Sequence, residues 1–269
     1  MQIPGIWFPK IFEAAKDQER LNKMPVYESA KQIAFASDHA QRSYPFILKN
    51  AFTVLPQQDA IQRITDKCGN HKISVRFGDM SNPNNYLNRR TAEIALNDFI
   101  EQHFLQRYTN EIAYAGSSPV DNSFLEALVI SYPAFYPESF FNLPRLWMGK
   151  AGTVTPLHKD IPDNFAFNYF GRKKWIIYPP RDYPFLYMTN PIAEEYPDFG
   201  ASIVNLKEID HDSCPEFKNA KGLEFFLEKG DLLYLPAGWS HYVENMEDTL
   251  MVNFWLQREK SPAVLGNDK

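Results

Sequence analysis

The sequence has little cysteine and no long apolar run. Only two cysteines, Cys68 and Cys214, occur in 269 residues. A disulfide framework or a CxxC zinc site needs more cysteines at closer spacing, so we expect neither. No stretch approaches the ~20 apolar residues of a membrane span, and the N-terminus lacks a basic segment followed by an apolar one. We therefore expect a soluble, cytoplasmic protein with no signal peptide and no membrane partner.

A surplus of basic residues is also missing. The chain has 28 lysines and arginines against 33 aspartates and glutamates, for a net charge of −5. Proteins that bind nucleic acid through many backbone contacts neutralise the phosphates with an excess of basic residues. This chain has no such excess, so bulk nucleic-acid binding of that kind is not expected. The acidic balance favours a basic or neutral substrate. The composition sets no oligomeric state.

Proline and aromatic residues, by contrast, are abundant. The chain has 20 prolines and is 15% aromatic, and from residue 143 onward proline, glycine and aspartate separate short apolar runs. This pattern is typical of consecutive strands in a closed β-barrel or sandwich. The runs predict eight strands, at 145–149, 153–157, 164–170, 175–178, 223–227, 231–235, 241–243 and 249–256. Residues 181–221 are polar and predict a long insertion between strands.

The first part of the chain mixes helical and strand patterns. Apolar spacing predicts helices at 57–67, with Gly69 as the C-cap, and at 91–106, with Thr91 as the N-cap. A third helix is possible at 11–23. Strands are predicted at 44–49 and 73–77. We expect residues 1–110 to pack on a barrel formed by 111–269, as one structural unit.

One motif carries the ligand types of a metal site. On a strand, residues i and i+2 share a face, so His158 and Asp160 can reach one ion together. His241, after a Pro-Ala-Gly turn, can complete a set of two histidines and one carboxylate. That set leaves three coordination positions open and is typical of non-haem Fe(II) oxygenases. Taken alone, each histidine is better explained as a core residue bonded to a backbone carbonyl than as a metal ligand.

Lys173, at the start of a predicted strand, is ambiguous from its spacing. Lysines are rarely buried without a partner, so an inward Lys173 would require an anion such as a dicarboxylate. Alternatively, Lys173 and Lys174 are both exposed at the strand end, and spacing alone favours this second interpretation.

Three ordered blocks resemble a known family. They are TPLHKDIPDNFAFNYFGRKKWIIYPP at 155–180, GDLLYLPAGWSH at 230–241 and TLMVNFW at 249–255. They are similar to the JmjC/cupin-like (cupin-8) Fe(II)/2-oxoglutarate-dependent oxygenases, most of all to the HIF asparaginyl hydroxylase-like branch. The resemblance covers about 143–257. It implies a mainly β fold with flanking helices, built on a double-stranded β-helix (jelly-roll) barrel.

The resemblance also implies roles for individual residues. His158, Asp160 and His241 would bind Fe(II) as the catalytic metal ligands. Lys173 would pair with the distal carboxylate of the cosubstrate 2-oxoglutarate, and Thr155 would donate its hydroxyl to the same group. O₂ would take the last open position on the metal. Further pocket residues would be Asn164, Asn253, Trp255 and Trp147.

Two features of the branch have no clear counterpart here. Its upstream tyrosine, which contacts the cosubstrate carboxylate, could be Tyr86, Tyr108 or Tyr114. Its dimer forms through helices after the barrel, and about a dozen residues follow Leu256. We therefore do not expect that dimer.

The function implied is hydroxylation of a protein or peptide side chain, with succinate and CO₂ as coproducts. The alternatives are the same chemistry on a small metabolite, on a tRNA base or on methyl-lysine, where demethylation follows. A non-enzymatic cupin-like binding module is a third possibility.

Overall fold

The computed structural model describes residues 11–12, 15–16, 18–105, 109–189 and 200–260. Its strands form two sheets. In chain order they are β1 (Val26–Tyr27), β2 (Phe46–Leu48), β3 (Lys72–Phe77), β4 (Arg90–Ala95), β5 (Ala113–Pro119), β6 (Arg145–Gly149), β7 (Val154–Lys159), β8 (Asn164–Phe170), β9 (Lys173–Tyr178), β10 (Met188–Thr189), β11 (Gly200–Ser202), β12 (Leu223–Leu227), β13 (Leu232–Leu235), β14 (Ser240–Asn245) and β15 (Thr249–Trp255).

The two sheets face each other as a jelly roll. The larger has the order β1-β2-β13-β8-β15-β6-β5-β3-β4, and the smaller has the order β10-β11-β7-β14-β9-β12. All eight predicted strands are present, as β6 to β9 and β12 to β15. Four of them lie in each sheet, and the chain crosses repeatedly from one sheet to the other. This is the double-stranded β-helix expected from the resemblance, and the predicted fold class is confirmed.

Strand alternation divides the core into two layers. On β8, Phe165, Phe167 and Tyr169 pack outward with the residues of the N-terminal helices. Ala166, on the opposite face, belongs to a second cluster inside the barrel, together with Trp175. Because side chains on a strand point alternately to its two faces, Asn164 and Asn168 share the inward face with Ala166.

Short helices cover the outer face of the larger sheet. The helix at Gln57–Cys68 buries Ala60, Ile64 and Cys68, which are spaced four residues apart and so form one stripe. It ends at Gly69, as predicted. The other α-helices are Pro83–Leu87, Leu96–Phe99 and Asn122–Leu128. Two π-helices, Phe35–Ala40 and Ile100–Phe104, and five 3-10 helices, Ala30–Gln32, Glu138–Phe140, Pro180–Phe185, Pro215–Asn219 and Arg258–Lys260, complete the described elements.

The helix predicted at 91–106 is wrong in its first third. Residues Arg90–Ala95 form β4, which pairs antiparallel with β3 from Arg90 opposite Phe77 to Ala95 opposite Lys72. The β-branched Thr91 and Ile94 suit a strand, and the hairpin satisfies backbone groups that a helix would otherwise have paired locally. The chain becomes helical only at Leu96. The possible helix at 11–23 does not extend through residues 18–23, which are not helical.

The insertion at 181–221 is structured where it is described. Its strands β10 and β11 extend the smaller sheet beside β7, while residues 190–199 lie outside the described part. Strands β1 to β4, from the first 110 residues, belong to the larger sheet. The predicted division of the chain stays a prediction. Within the described ranges, no helix has both the length and the apolar character to cross a membrane, and the cytoplasmic location also stays a prediction.

Candidate metal centre

His158, Asp160 and His241 meet inside the barrel. His158 is paired directly opposite His241 across strands β7 and β14, and Asp160 follows β7 at once. The Nε2 atoms of His158 and His241 lie 3.9 Å and 3.7 Å from the two carboxylate oxygens of Asp160. One ligand atom from each residue falls within 4.8 Å of the others. Three donors this close can hold one metal ion.

Backbone carbonyls orient both imidazoles. His158 Nδ1 lies 2.8 Å from the carbonyl oxygen of Pro156, and His241 Nδ1 lies 3.2 Å from that of Trp239. An Nδ1–H donated to each carbonyl makes Nε2 the ligand nitrogen, which is the usual arrangement around a metal-binding histidine. The carbonyl bonds alone would also suit core histidines. A core role does not explain why the Nε2 atoms of both histidines converge on the Asp160 carboxylate.

Burial controls the protonation of the two histidines and of Asp160. It lowers the pKa of His241 and, together with the neighbouring His241, lowers that of His158 far below its usual value. Both imidazoles are therefore neutral, as ligation requires. Burial also raises the pKa of Asp160, and the positive charge of Arg76 opposes this shift. A bound cation would favour the ionised carboxylate. This donor set of two neutral imidazoles and one carboxylate fits Fe(II).

An inner cavity adjoins the three residues. Its volume is about 10 Å³, which is room for about one water molecule. The Trp175 ring stacks on His241, with ring centroids 5.5 Å apart. Besides the three candidate ligands, the lining includes Tyr114, Trp147, Thr155, Trp175, Met251 and Asn253.

A β-bulge brings Thr155 to this cavity. Thr155 and His158 are three residues apart, so regular alternation would send them to opposite faces. The pairing with β14 shifts between His241 opposite His158 and Val243 opposite Thr155. The extra residue on β7 re-aims Thr155 to the same side as His158. Among the residues that the structure describes, its buried hydroxyl oxygen has no hydrogen-bond partner, which leaves it available to a ligand.

Lys173 is fully buried and is not an exposed strand end. Its Nζ donates to Oδ1 of Asn245 at 2.6 Å and to the hydroxyl of Tyr114 at 3.4 Å. Burial lowers the pKa of Lys173 to about 7. Lys174, one residue on, points away from the barrel interior and bonds Glu244 at 3.2 Å. A buried ammonium with only neutral hydrogen-bond partners is a strong site for a carboxylate.

The other predicted pocket residues are placed less uniformly. Asn253 lines the inner cavity, and its Oδ1 has no hydrogen-bond partner among the described side chains and backbone. Trp147 lines both the inner cavity and a second, outer cavity, whereas Trp255 lines only the outer one. Asn164 is buried on the inward face of β8 but is not part of either lining. Its amide oxygen and nitrogen both lack hydrogen-bond partners among the residues described.

Of the three tyrosines that the sequence left as candidates for contacting the cosubstrate carboxylate, Tyr114 has the position that suits this contact best. It lines the inner cavity and contacts Lys173, while Tyr86 lines the outer cavity and Tyr108 lies outside the described residues. Sequence reasoning missed Asn245, although it shares the inward face of β14 with His241 at a separation of four residues. It also missed Trp175 and the arginines of the outer cavity.

The outer cavity opens onto the same centre. It measures about 360 Å³ and reaches His158 and Asp160 at its inner end. Three arginines, Arg76, Arg89 and Arg145, contribute to its wall. Its size is that of a small-ligand pocket.

The sequence matches the model of the cupin-like domain family over residues 32–261. The chain belongs to the cupin-like domain family. The match includes all eight jelly-roll strands and the three candidate metal ligands. Together with the relatives below, it places the chain among the JmjC/cupin-like proteins. The closer likeness to the HIF asparaginyl hydroxylase branch stays a prediction.

Several curated relatives of this cupin-like chain are similar over part of their length. HSPB1-associated protein 1 from Bos taurus is 38% identical over 117 residues, which are 43% of this chain and 24% of that protein. tRNA wybutosine-synthesizing protein 5 from Gallus gallus is 27% identical over 188 residues, or 68% of this chain and 57% of that protein. Lysine-specific demethylase JMJ30 from Arabidopsis thaliana is 38% identical over 118 residues, or 42% and 25%. The chain thus matches about a quarter to just over half of each relative.

Proposed function

We propose that the protein is an Fe(II)- and 2-oxoglutarate-dependent dioxygenase that hydroxylates a protein or peptide side chain, with succinate and CO₂ as coproducts. The convergence of His158, Asp160 and His241 inside the barrel carries this proposal. The buried ammonium of Lys173, on a strand paired with that of His241, adds a counterion for the cosubstrate.

The roles of the side chains follow from their positions. His158, Asp160 and His241 would hold the ion on one side and leave its other positions open. Fe(II), with 2-oxoglutarate and O₂, supplies the oxidation chemistry when bound. Trp175 packs against the His241 ring, fixes its orientation and excludes water from that side.

The distal carboxylate of 2-oxoglutarate would be bound by Lys173, Thr155 and Tyr114. Lys173 and Tyr114 already contact each other, and the Thr155 hydroxyl oxygen has no hydrogen-bond partner in the part of the chain that is described. Because the inner cavity measures only about 10 Å³, these side chains must move apart on binding. The ammonium would then exchange its bond to Asn245 for an ion pair.

The relatives support a protein substrate and also keep two alternatives open. Lysine-specific demethylase JMJ30 carries a name that specifies an amino-acid side chain. The wybutosine-synthesizing protein, with the longest match relative to its own length of the three relatives compared, carries a name that specifies tRNA. Demethylation of a side chain and modification of a tRNA base are therefore the second candidates.

Formation of succinate from 2-oxoglutarate tests the proposal. We expect the protein with Fe(II) and O₂ to convert 2-oxoglutarate slowly to succinate, and faster when a substrate peptide is present. Mass spectrometry of a peptide pool would then find a product heavier by one oxygen atom, whereas formaldehyde release would show demethylation. The Asp160→Ala variant is the matched control, because it removes one ligand. Equal succinate formation by that variant would exclude the proposed metal centre.

A further inference from the structure

The outer cavity is lined by positive charge next to the candidate metal centre. Arg76, on β3, and Arg89, just before β4, both lie on its wall. Of the described residues that form this wall, only Asp160 is acidic. Asp160 is already committed to the metal centre. The arginines therefore face a cavity that offers them no other carboxylate.

Aromatic rings fix the positions of these arginines. The Arg76 guanidinium carbon lies 5.4 Å from the ring centre of Tyr86 and 5.2 Å from that of Trp147. The Arg89 guanidinium carbon lies 4.5 Å from the Tyr86 ring. Planar guanidinium groups that stack on aromatic faces keep their N–H groups directed along their edges. Tyr86 thus holds two guanidinium groups beside one cavity.

Both guanidinium groups retain unused donors. Arg76 is only 7% exposed, and its Nη1 atom has no hydrogen-bond partner in the described part of the chain. The Nε atom of Arg89 is likewise buried and finds no partner within the described ranges, although its Nη1 donates to the carbonyl oxygen of Tyr86 at 2.8 Å. Burial and the nearby charge of Arg76 lower the pKa of Arg89. A buried cation without an anionic partner is costly, and a bound anion offsets that cost.

Gly116 provides space for this arrangement. A β-carbon at this position would lie 3.0 Å from the guanidinium carbon of Arg76. The Arg76 guanidinium therefore rests directly against the backbone of β5, opposite the cavity wall formed by Tyr86. The backbone fits closely around this guanidinium, which forms no ion pair with a carboxylate of the described residues, although its charge acts on Asp160.

We propose that the substrate of this site carries an anionic group, a carboxylate or a phosphate, which Arg76 and Arg89 bind in the outer cavity. Guanidinium groups bind both anions through paired N–H donors. The cavity ends at His158 and Asp160, so an anion held at the arginines places its neighbouring carbon atoms toward the metal centre. This inference rests on the proposed function for the reaction. It replaces the expectation of a basic or neutral substrate, which came from the net charge alone.

Matched probes that differ in charge test the inference. They are the N-acetyl methylamides of glutamate, glutamine and lysine, with phenyl phosphate as the phosphate probe. Each is titrated calorimetrically into the full chain saturated with Mn(II) and 2-oxoglutarate, so that the cosubstrate site is already filled. We expect the glutamate probe or phenyl phosphate to bind at least tenfold tighter than the glutamine and lysine probes. The preferred anion distinguishes a carboxylate substrate from a phosphate-bearing one.

Variants locate the binding. Arg89→Gln and Arg76→Gln should each weaken the anionic probe about tenfold. Arg90→Gln is the matched control, because Arg90 is an exposed neighbour that pairs with Glu111 outside the cavity. Its variant loses the same charge and should bind as the wild type does. Arg89, which is only partly buried, keeps the test valid if the Arg76 variant fails to fold.

Several results would overturn the inference. These are tighter binding of the lysine probe, equal losses in the Arg89 and Arg90 variants, and no saturable binding of either anion. Displacement of the anionic probe by added 2-oxoglutarate would assign it to the Lys173 site instead. Failure of the proposed oxygenase function looks different, because the protein would then show no response to Mn(II) and 2-oxoglutarate while anion binding persisted.

Discussion

Replacing Lys173 by methionine should stabilise the ligand-free protein while removing its response to 2-oxoglutarate. Lys173 is fully buried, and its hydrogen bonds go to the neutral groups of Asn245 and Tyr114. Methionine has a similar length and no charge. The change therefore removes a buried cation with little change of volume.

The size of the effect follows from the pKa of Lys173. Burial lowers this pKa from 10.5 to about 7, and each pKa unit corresponds to about 1.4 kcal/mol, so the buried charge costs about 5 kcal/mol of stability. The variant leaves Oδ1 of Asn245 without its donor, which costs about 1–3 kcal/mol. The net expectation is a gain of about 2–4 kcal/mol in the free energy of unfolding near pH 6.

The gain should depend on pH with a defined sign. Between pH 7 and 10.5 the unfolded chain binds a proton at Lys173 that the folded chain does not, so wild-type stability rises with pH in this window. The cost is complete below about pH 7 and disappears toward pH 10.5. The advantage of Lys173→Met therefore shrinks by about 1.4 kcal/mol per pH unit above pH 7.

Denaturant unfolding of both proteins at pH 6, 7, 8 and 9, without metal or 2-oxoglutarate, measures this difference directly. The subtraction cancels every other titrating group that both proteins share. A variant less stable than the wild type at pH 6 would refute the reasoning. So would a difference that stays constant with pH, because the stabilising effect would then not come from the charge of Lys173.

Three further predictions concern the metal centre, the cosubstrate and one turn. Asp160→Asn should abolish the thermal shift caused by Mn(II) and leave the metal-free protein at least as stable, since burial already disfavours that carboxylate. The affinity for 2-oxoglutarate, by calorimetry, should fall about tenfold per pH unit above about 7, as Lys173 loses its proton. Gly171 has φ +75°, and a β-carbon there would meet the carbonyl oxygen of Asp248, so Gly171→Ala should lower the free energy of unfolding in urea by more than ~2 kcal/mol. Gly152 has φ +83° but faces open space, so the control Gly152→Ala should cost about 1 kcal/mol.

The barrel could be predicted from the sequence because its signals are local. Each of the eight strands is a short apolar run bounded by glycine, proline or aspartate, and each was found. The region at 91–106 could not be predicted in the same way. Its apolar spacing suits a helix, but the pairing of Arg90–Ala95 with β3 makes this segment a strand. Neither the spacing nor the intrinsic propensity of the segment itself reveals that pairing.

The candidate site likewise contains residues that the sequence predicts and residues that only the folded structure brings together. His158, Asp160 and His241 are visible in the sequence through their residue types and the family resemblance. The bulge that turns Thr155 inward depends on the register between β7 and β14, which no single-strand pattern contains. The arginines of the outer cavity come from β3, from the chain before β4 and from β6, and only the folded sheet brings them together.

Thermal unfolding with Mn(II), a redox-silent stand-in for Fe(II), tests the central claim most directly. A ligand that binds only the folded state stabilises it by about 2.7 kcal/mol at 100 times its dissociation constant. We predict that Mn(II) raises the melting temperature, and that 2-oxoglutarate raises it further only when Mn(II) is present and Lys173 is intact. No response to Mn(II) in the wild type, or a 2-oxoglutarate response that persists in Lys173→Met, would contradict the account.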